Sequence, residues 1–298
     1  MMLPPIFNVG KNYDYVIVSD MYASDYPGGA EQTLEAILQK CPGNYLKAYP
    51  GQVNSYMIES AKDRPWIIGN CAGFSKDQLI EIATSGISYS KIECDYACCI
   101  HRSSHLHKIR TGKDCDCHLT DHGRLILGFY KRAQKVSFMS EGQLNEYKRL
   151  FPVMNTWKPN KLVVQGSTFS QNSLDLIKNL SVKYPVKNGK WFIQGGGNTS
   201  WIKNTQGAID YCVKNNLEYE IVGGLAPVEF LEKLAQFHGL VFLPAGFDTN
   251  PRITLEARMM GLELVLNDNV QQRHDSWFNL SPSELIIHHA NLAEKFWK

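Results

Sequence analysis

Short apolar runs alternate with helix-patterned stretches along the whole chain, and this alternation restricts the fold more than any other feature. In the first half, strand-like runs fall at 13–19, 45–49, 66–69, 88–92 and 135–139, with helical patterns at 30–38, 77–83 and 141–150. In the second half the runs are 162–165, 191–194, 218–222, 240–243, 263–266 and 285–287. Helical patterns there cover 172–180, 205–215, 227–237 and 251–260. Strands separated by helices predict mostly parallel sheets with helices packed against them. The stretch 151–160 carries Pro152 and Pro159 and has no clear period, so it reads as a linker. The expectation is an α/β protein of two Rossmann-like parallel-sheet domains, 1–155 and 160–298. A cleft between two such domains is a common ligand site.

Composition narrows the class further. The 298 residues are 44% hydrophobic and 20% charged, which describes a soluble globular chain. There is no run of eighteen apolar residues to span a membrane, and the first residues lack a signal-peptide pattern. A cytoplasmic protein is expected, with its eight cysteines reduced. A net charge of +2 supplies no strong basic face, so nucleic acid is not an expected partner. Locally the balance differs. Residues 101–135 hold eight Lys/Arg against three Asp, which suggests an anionic acceptor or peripheral membrane contact.

The most informative segment is 247–261, between the apolar runs 239–244 and 262–268. Its residues read Phe-Asp-Thr-Asn-Pro-Arg-Ile-Thr-Leu-Glu-Ala-Arg-Met-Met-Gly. Asn250 is a candidate N-cap, Pro251 suits the first helical position, and Gly261 suits a left-handed stop. The helix start offers free N–H groups to an anion, and Arg252 adds positive charge. Asp248 precedes the helix, and Glu256 lies about two turns beyond it.

This segment resembles the nucleotide-sugar-binding motif of family 4 glycosyltransferases, an acid followed by seven residues and then Glu. Asp248, Pro251, Leu255, Glu256, Ala257 and Gly261 match; Asp248 stands where Glu is usual, and Thr249-Asn250 replaces a Gly-Phe-Gly region. The resemblance implies a GT-B fold. It assigns Asp248 to the transferred sugar, Glu256 to the ribose hydroxyls, and Thr249, Asn250, Pro251 and Arg252 to the donor. It also implies that the closing segment, 291–297, returns to the first half.

Three further stretches fit the same resemblance. Gly28-Gly29-Ala30-Glu31 resembles the family's G-G-A-E turn, where small residues let a ligand approach the backbone. Gly166-Ser167 follows a strand where the family approaches the donor phosphate. The glycine-rich turn 194–203 is not a Walker loop, since no Gly-Lys-Ser/Thr closes it. Lys203 matches the family's phosphate-facing Lys, whereas the companion Arg has no match, leaving Arg252 as a substitute.

The stretch 94–122 concentrates Cys94, Cys98, Cys99, Cys115 and Cys117 with five of the nine histidines. Such residues can form a tetrahedral zinc site, a disulfide, or a set of free thiols. A structural zinc held by those cysteines is one expectation; no metal is expected in the reaction itself.

The function implied is transfer of a sugar from a nucleotide diphosphate sugar to a glycan, lipid-linked or other acceptor, with retention and without a required cofactor. The sequence offers no second-face carboxylate as an obvious nucleophile. Three other readings are compatible with the same motifs: a GT-B nucleotide-sugar epimerase, a non-catalytic nucleotide-sugar-binding protein, and a transferase acting on modified bases in DNA, which the near-neutral charge disfavours.

Overall fold

The computed structural model of the chain describes residues 12–195 and 202–298. The first domain is built on a six-stranded sheet: β1 (Tyr15–Val18), β2 (Tyr45–Ala48), β3 (Trp66–Ile68), β4 (Tyr89–Glu93), β5 (Lys135–Phe138) and β6 (Leu162–Val164). Their spatial order is 2-1-3-4-5-6, and every pair is parallel. Helices α1 (Gly29–Leu38), α2 (Ser55–Ser60), α3 (Lys76–Thr84), α4 (Ser104–Thr111), α5 (Asp121–Arg132) and α6 (Glu141–Leu150) lie between the strands. The second domain holds β7 (Trp191–Gln194), β8 (Tyr219–Val222), β9 (Gly239–Phe242) and β10 (Glu263–Leu266) in the parallel order 10-9-7-8. Its helices are α7 (Gln171–Lys183), α8 (Thr205–Lys214), α9 (Pro227–Leu234), α10 (Arg252–Met259) and α11 (Pro282–Ala290), and α12 (Leu292–Trp297) follows.

Strand order has a direct consequence for the site. In the first sheet the order reverses between β1 and β3; in the second it reverses between β7 and β9. Adjacent loops there leave in opposite directions and open a crevice beyond the strands' carboxyl ends, where open α/β sheets bind ligands. The segment from Leu243 to Pro251 leaves β9 at that point.

Burial follows the pleat. Val16 and Val18 pack into one core layer with Trp66, Ile68 and Phe138, whereas Ile17 faces the opposite layer with Ile37, Ile67 and Phe296. That second layer is closed by α12. Its Trp297 indole N–H donates to the Ile37 carbonyl at 2.9 Å, and its ring meets Tyr15 edge-on at 4.9 Å.

Three local expectations are corrected. Residues 285–287 are helical, within α11, rather than a strand. Ser281 caps that helix reciprocally with Glu284, and Pro282 occupies its first turn. Leu285 and His289, one turn apart, are fully buried while Ile287 is 63% exposed, so only a helical period fits. Second, β6 does not open the second half: it is the edge of the first sheet, paired with β5 through Val136 and Leu162. The preceding stretch forms short 3-10 turns at Pro152–Thr156 and Pro159–Lys161, and Phe151 and Met154 pack into the first core. Third, α10 starts at Arg252 with Pro251 at the cap position and no side-chain cap. The Asn250 amide is spent instead on the Met139 carbonyl of the first domain.

Candidate nucleotide-sugar cleft

A cleft of about 650 Å³ lies between the domains. The loop leading to α10 forms one wall and is anchored at both ends. The Asp248 backbone N–H donates to the Asn269 carbonyl at 2.8 Å, and its own carbonyl accepts from Gln271 at 3.0 Å. Thr249 donates its hydroxyl to the Cys94 carbonyl at 2.6 Å, and Ser167 donates its own to the Asn250 carbonyl at 3.2 Å. The loop is thereby fixed to the first domain and to the crossover after β6.

Lys203 reaches this wall because of its neighbour. Asn204 caps α8 from a left-handed conformation (φ 47°), and its amide donates to the Leu243 carbonyl at the end of β9. The Lys203 ammonium consequently stands 3.7 Å from the Asp248 carboxylate and 5.1 Å above the Phe242 ring. Burial raises the Asp248 pKa above the usual carboxylate range, and Lys203 pulls it back.

One turn into α10, Arg252 and Glu256 form an i,i+4 pair at 3.6 Å. Both are buried. Burial raises the Glu256 pKa, with Arg252 opposing it; burial also lowers that of Arg252, with Glu256 opposing. The guanidinium stacks 3.8 Å over Phe169 and donates to the Thr168 carbonyl at 2.6 Å. Its Nε makes no hydrogen bond, the Glu256 oxygen being too distant.

Of the residues singled out from the sequence, Gly29, Ser167, Lys203, Asp248, Thr249, Asn250, Pro251, Arg252 and Glu256 all line this one cleft. Gly28 and Gly166 stand just behind it. Gly28 is the cap residue of α1, and Gly166 makes the turn after β6 with φ +70°. Gly196 to Trp201, from the glycine-rich turn, lie outside the described residues.

Two patterns show what the cleft is shaped to hold. Among the described residues, Asn, Ser or Thr side chains cap α2 to α8 and α11. The starts of α1, α9, α10 and α12 have no such cap; the first three open on the cleft, and at α9 the Ala226 N–H donates to the Glu229 carboxylate at 3.3 Å. Uncapped N-termini present N–H groups and the positive ends of helix dipoles to an anion. The second pattern is a set of buried polar atoms without a hydrogen-bond partner. Thr33 Oγ1, Gln194 Oε1, Asn250 Oδ1 and Arg252 Nε belong to it, and all four residues line the cleft. Buried polar groups are ordinarily paired, so these four, of twelve such atoms among the described residues, are available to a polar ligand in the cleft.

Other cleft residues were missed in the sequence. Asp95, just past β4, faces Asp248 from the first domain and pairs with Arg102, which also stands 3.6 Å from Asp20. Burial raises the Asp95 pKa and Arg102 lowers it. Its position beyond a strand's carboxyl end was a readable signal. Arg102 itself adopts φ 57°, which no sequence pattern announces. Gly223-Gly224, a double glycine directly after β8, was a readable signal too.

The basic run 101–135 does not present eight free cations. Arg102 is turned toward Asp95, Lys108 pairs with Asp114 at 2.8 Å, and Arg124 with Asp121 at 2.7 Å. No helix among the described residues is long and apolar enough to cross a membrane. No disulfide forms among the cysteines. Cys99, Cys115 and Cys117 are brought together with His107; Cys94 and Cys98 are not part of that group.

No protein-family model matches the sequence, and no curated protein resembles it closely enough to count as a relative. Solved structures do share its shape. A UDP-forming α,α-trehalose-phosphate synthase from Burkholderia xenovorans is 8% identical, with 96% of this chain and 90% of that one covered and a TM-score of 0.52. A UDP-GlcNAc 2-epimerase from Neisseria meningitidis, solved with UDP-GlcNAc bound, is 11% identical, with 95% and 98% covered and a TM-score of 0.50. At such identity the likeness concerns the fold: two parallel-sheet α/β domains in the GT-B arrangement.

Proposed function

We propose that this chain is a retaining, metal-independent glycosyltransferase of the family 4 type, drawing on a nucleotide diphosphate sugar. The observation that carries the reading is the convergence of three helix N-termini without an Asn, Ser or Thr cap, together with Lys203 and Arg252, on one interdomain cleft. A diphosphate is the ligand such a site suits, being compact, polyanionic and rich in acceptor oxygens. Glu256, in the first turns of α10, is suited to accept hydrogen bonds from ribose hydroxyls. Asp248, at the mouth between the domains, is suited to the sugar hydroxyls.

The reaction has a defined balance. The bond from the sugar's anomeric carbon to the diphosphate oxygen breaks, and a bond to the acceptor oxygen forms on the same face. The acceptor's proton passes to the departing diphosphate. Negative charge grows on the leaving oxygen as the sugar becomes oxocarbenium-like. Preorganised N–H dipoles, Lys203 and Arg252 lower the barrier by stabilising that charge. Asp95, beside Arg102 on the first domain, is placed to hold the acceptor hydroxyl. A glycan or lipid-linked acceptor would enter from that side. We further propose that the division of labour follows the domains, the N-terminal one meeting the acceptor and the C-terminal one the donor.

The test begins with thermal shift against UDP, GDP and their sugars, with uridine species first because both shape-related enzymes handle them. Each stabilising donor is then incubated with and without candidate acceptors, and the products are resolved by NMR. If no nucleoside diphosphate stabilises the protein, the reading fails. Release of an epimer with no acceptor present would point to the epimerase chemistry, and tight binding without turnover to a binding protein.

A further inference from the structure

The excursion from Cys94 to Thr120, between β4 and α5, inverts the usual pattern of burial. Three of its four larger aliphatic side chains point outward, with Ile100 61%, Ile109 58% and Leu119 64% exposed, while Leu106 is half-buried and Tyr96 packs into the first core. Cys99, His107 and Cys117 point inward, at 2%, 7% and 3%. A segment of this size that leaves most of its aliphatic groups in water lacks an apolar core of its own.

In place of that core stand three sulfurs and one ring nitrogen. The ligand atoms of Cys99, His107, Cys115 and Cys117 all lie within 4.8 Å of one another. His107 Nδ1 is 3.8 Å from the Cys99 sulfur and 3.3 Å from that of Cys117. Four ligands on one tetrahedral zinc, at ordinary Zn–S and Zn–N lengths, sit roughly 3.5–3.8 Å apart. The spacing therefore suits one ion with little rearrangement. The His101 backbone N–H also donates to the Cys99 sulfur at 3.4 Å, which fixes where that sulfur points.

We propose that Cys99, His107, Cys115 and Cys117 form a structural Cys3His zinc site. It is independent of what the cleft binds. Three thiolates and an imidazole in closed tetrahedral array select zinc, which needs no open position for a structural role. The ion staples the excursion, and the excursion supports the cleft. Arg102, inside the clamp, holds Asp95. His105 lies so close to Gly246 that an added Cβ there would fall 2.4 Å from the His105 Cβ, which ties the staple to the loop carrying Asp248.

The experiment is metal analysis by mass spectrometry of protein purified without an immobilised-metal column. The expected result is about one zinc per chain, lost in Cys99→Ser and Cys117→Ser and kept in Cys41→Ser. Stripping with a chelator should lower the Tm by roughly 5 °C or more, and added zinc should restore it. Should the serine variants fail to fold, His107→Cys keeps four ligands. It should retain zinc, and its cobalt derivative should show the spectrum of an all-thiolate tetrahedral site. Metal-free folded protein, a Cys99–Cys115 disulfide in the mass spectrum, iron or copper instead of zinc, or full zinc in both serine variants would overturn the proposal.

Discussion

Glu256 and Asp275 show how a buried carboxylate can serve two different ends. Burial raises the Glu256 pKa and the neighbouring Arg252 opposes that rise, at the start of a helix with no side-chain cap. Glu256→Gln preserves its shape and removes the charge. We expect transfer to fall by about a hundredfold or more, since a charge-assisted contact to the bound donor is lost, while the melting temperature changes little. A folded Glu256→Gln protein with full activity would sink the assignment. Asp275 instead accepts from the Glu141 backbone N–H at 3.1 Å, and burial pushes its pKa up to about 7. The folded state thus favours the neutral acid. Its stabilising contribution is complete below pH ~4 and is lost as pH rises through ~7, because the unfolded chain ionises first. Asp275→Asn should remove that dependence. The Tm difference between wild type and variant should shrink or change sign across this window; a difference that does not vary with pH would show that Asp275 is not shifted.

At the level of elements, the sequence announced most strands and helices through period and capping. It misassigned one through a local cap left out of account and one through a distant partner. Three aliphatic residues at 285–287 look like a strand until the Ser281–Glu284 cap is weighed. The pairing of β6 with β5 rather than with the second sheet depends on Phe151 and Met154 packing into the first core, which no local pattern encodes. The same distinction applies to the cleft. Asp248 and Glu256 were legible because one continuous segment, a loop and the helix that follows it, carries both. Asp95 and Arg102 come from another domain, and His107 was hidden among cysteines, since only the fold brings them near their partners. Helix α12 permits a direct test. Phe296 is 6% exposed in the layer beneath β1, so Phe296→Ala should cost about 3 kcal/mol, read from denaturant unfolding. An unchanged midpoint would mean that the helix is dispensable.

For the whole molecule, the cleft is a seam between two separately built cores, and a ligand there bears on both. A donor held only by the folded state at a hundredfold excess over its Kd should add about 2.7 kcal/mol of stability, a Tm rise of roughly 4 °C. Free phosphate meets only part of the cleft and should raise the Tm much less. Equal effects from phosphate and from nucleotide sugar would argue against a site spanning both domains.

The return of α12 to the first domain has a consequence for biosynthesis. Ile17, Ile37 and Ile67 share their layer with Phe296, which is translated long after them. At about 5–20 residues per second, the amino-terminal sheet emerges and waits several seconds with that layer open. An exposed aliphatic surface of this kind is what chaperones bind. The nascent chain should therefore engage them until residue 297 clears the ribosome and seals the face.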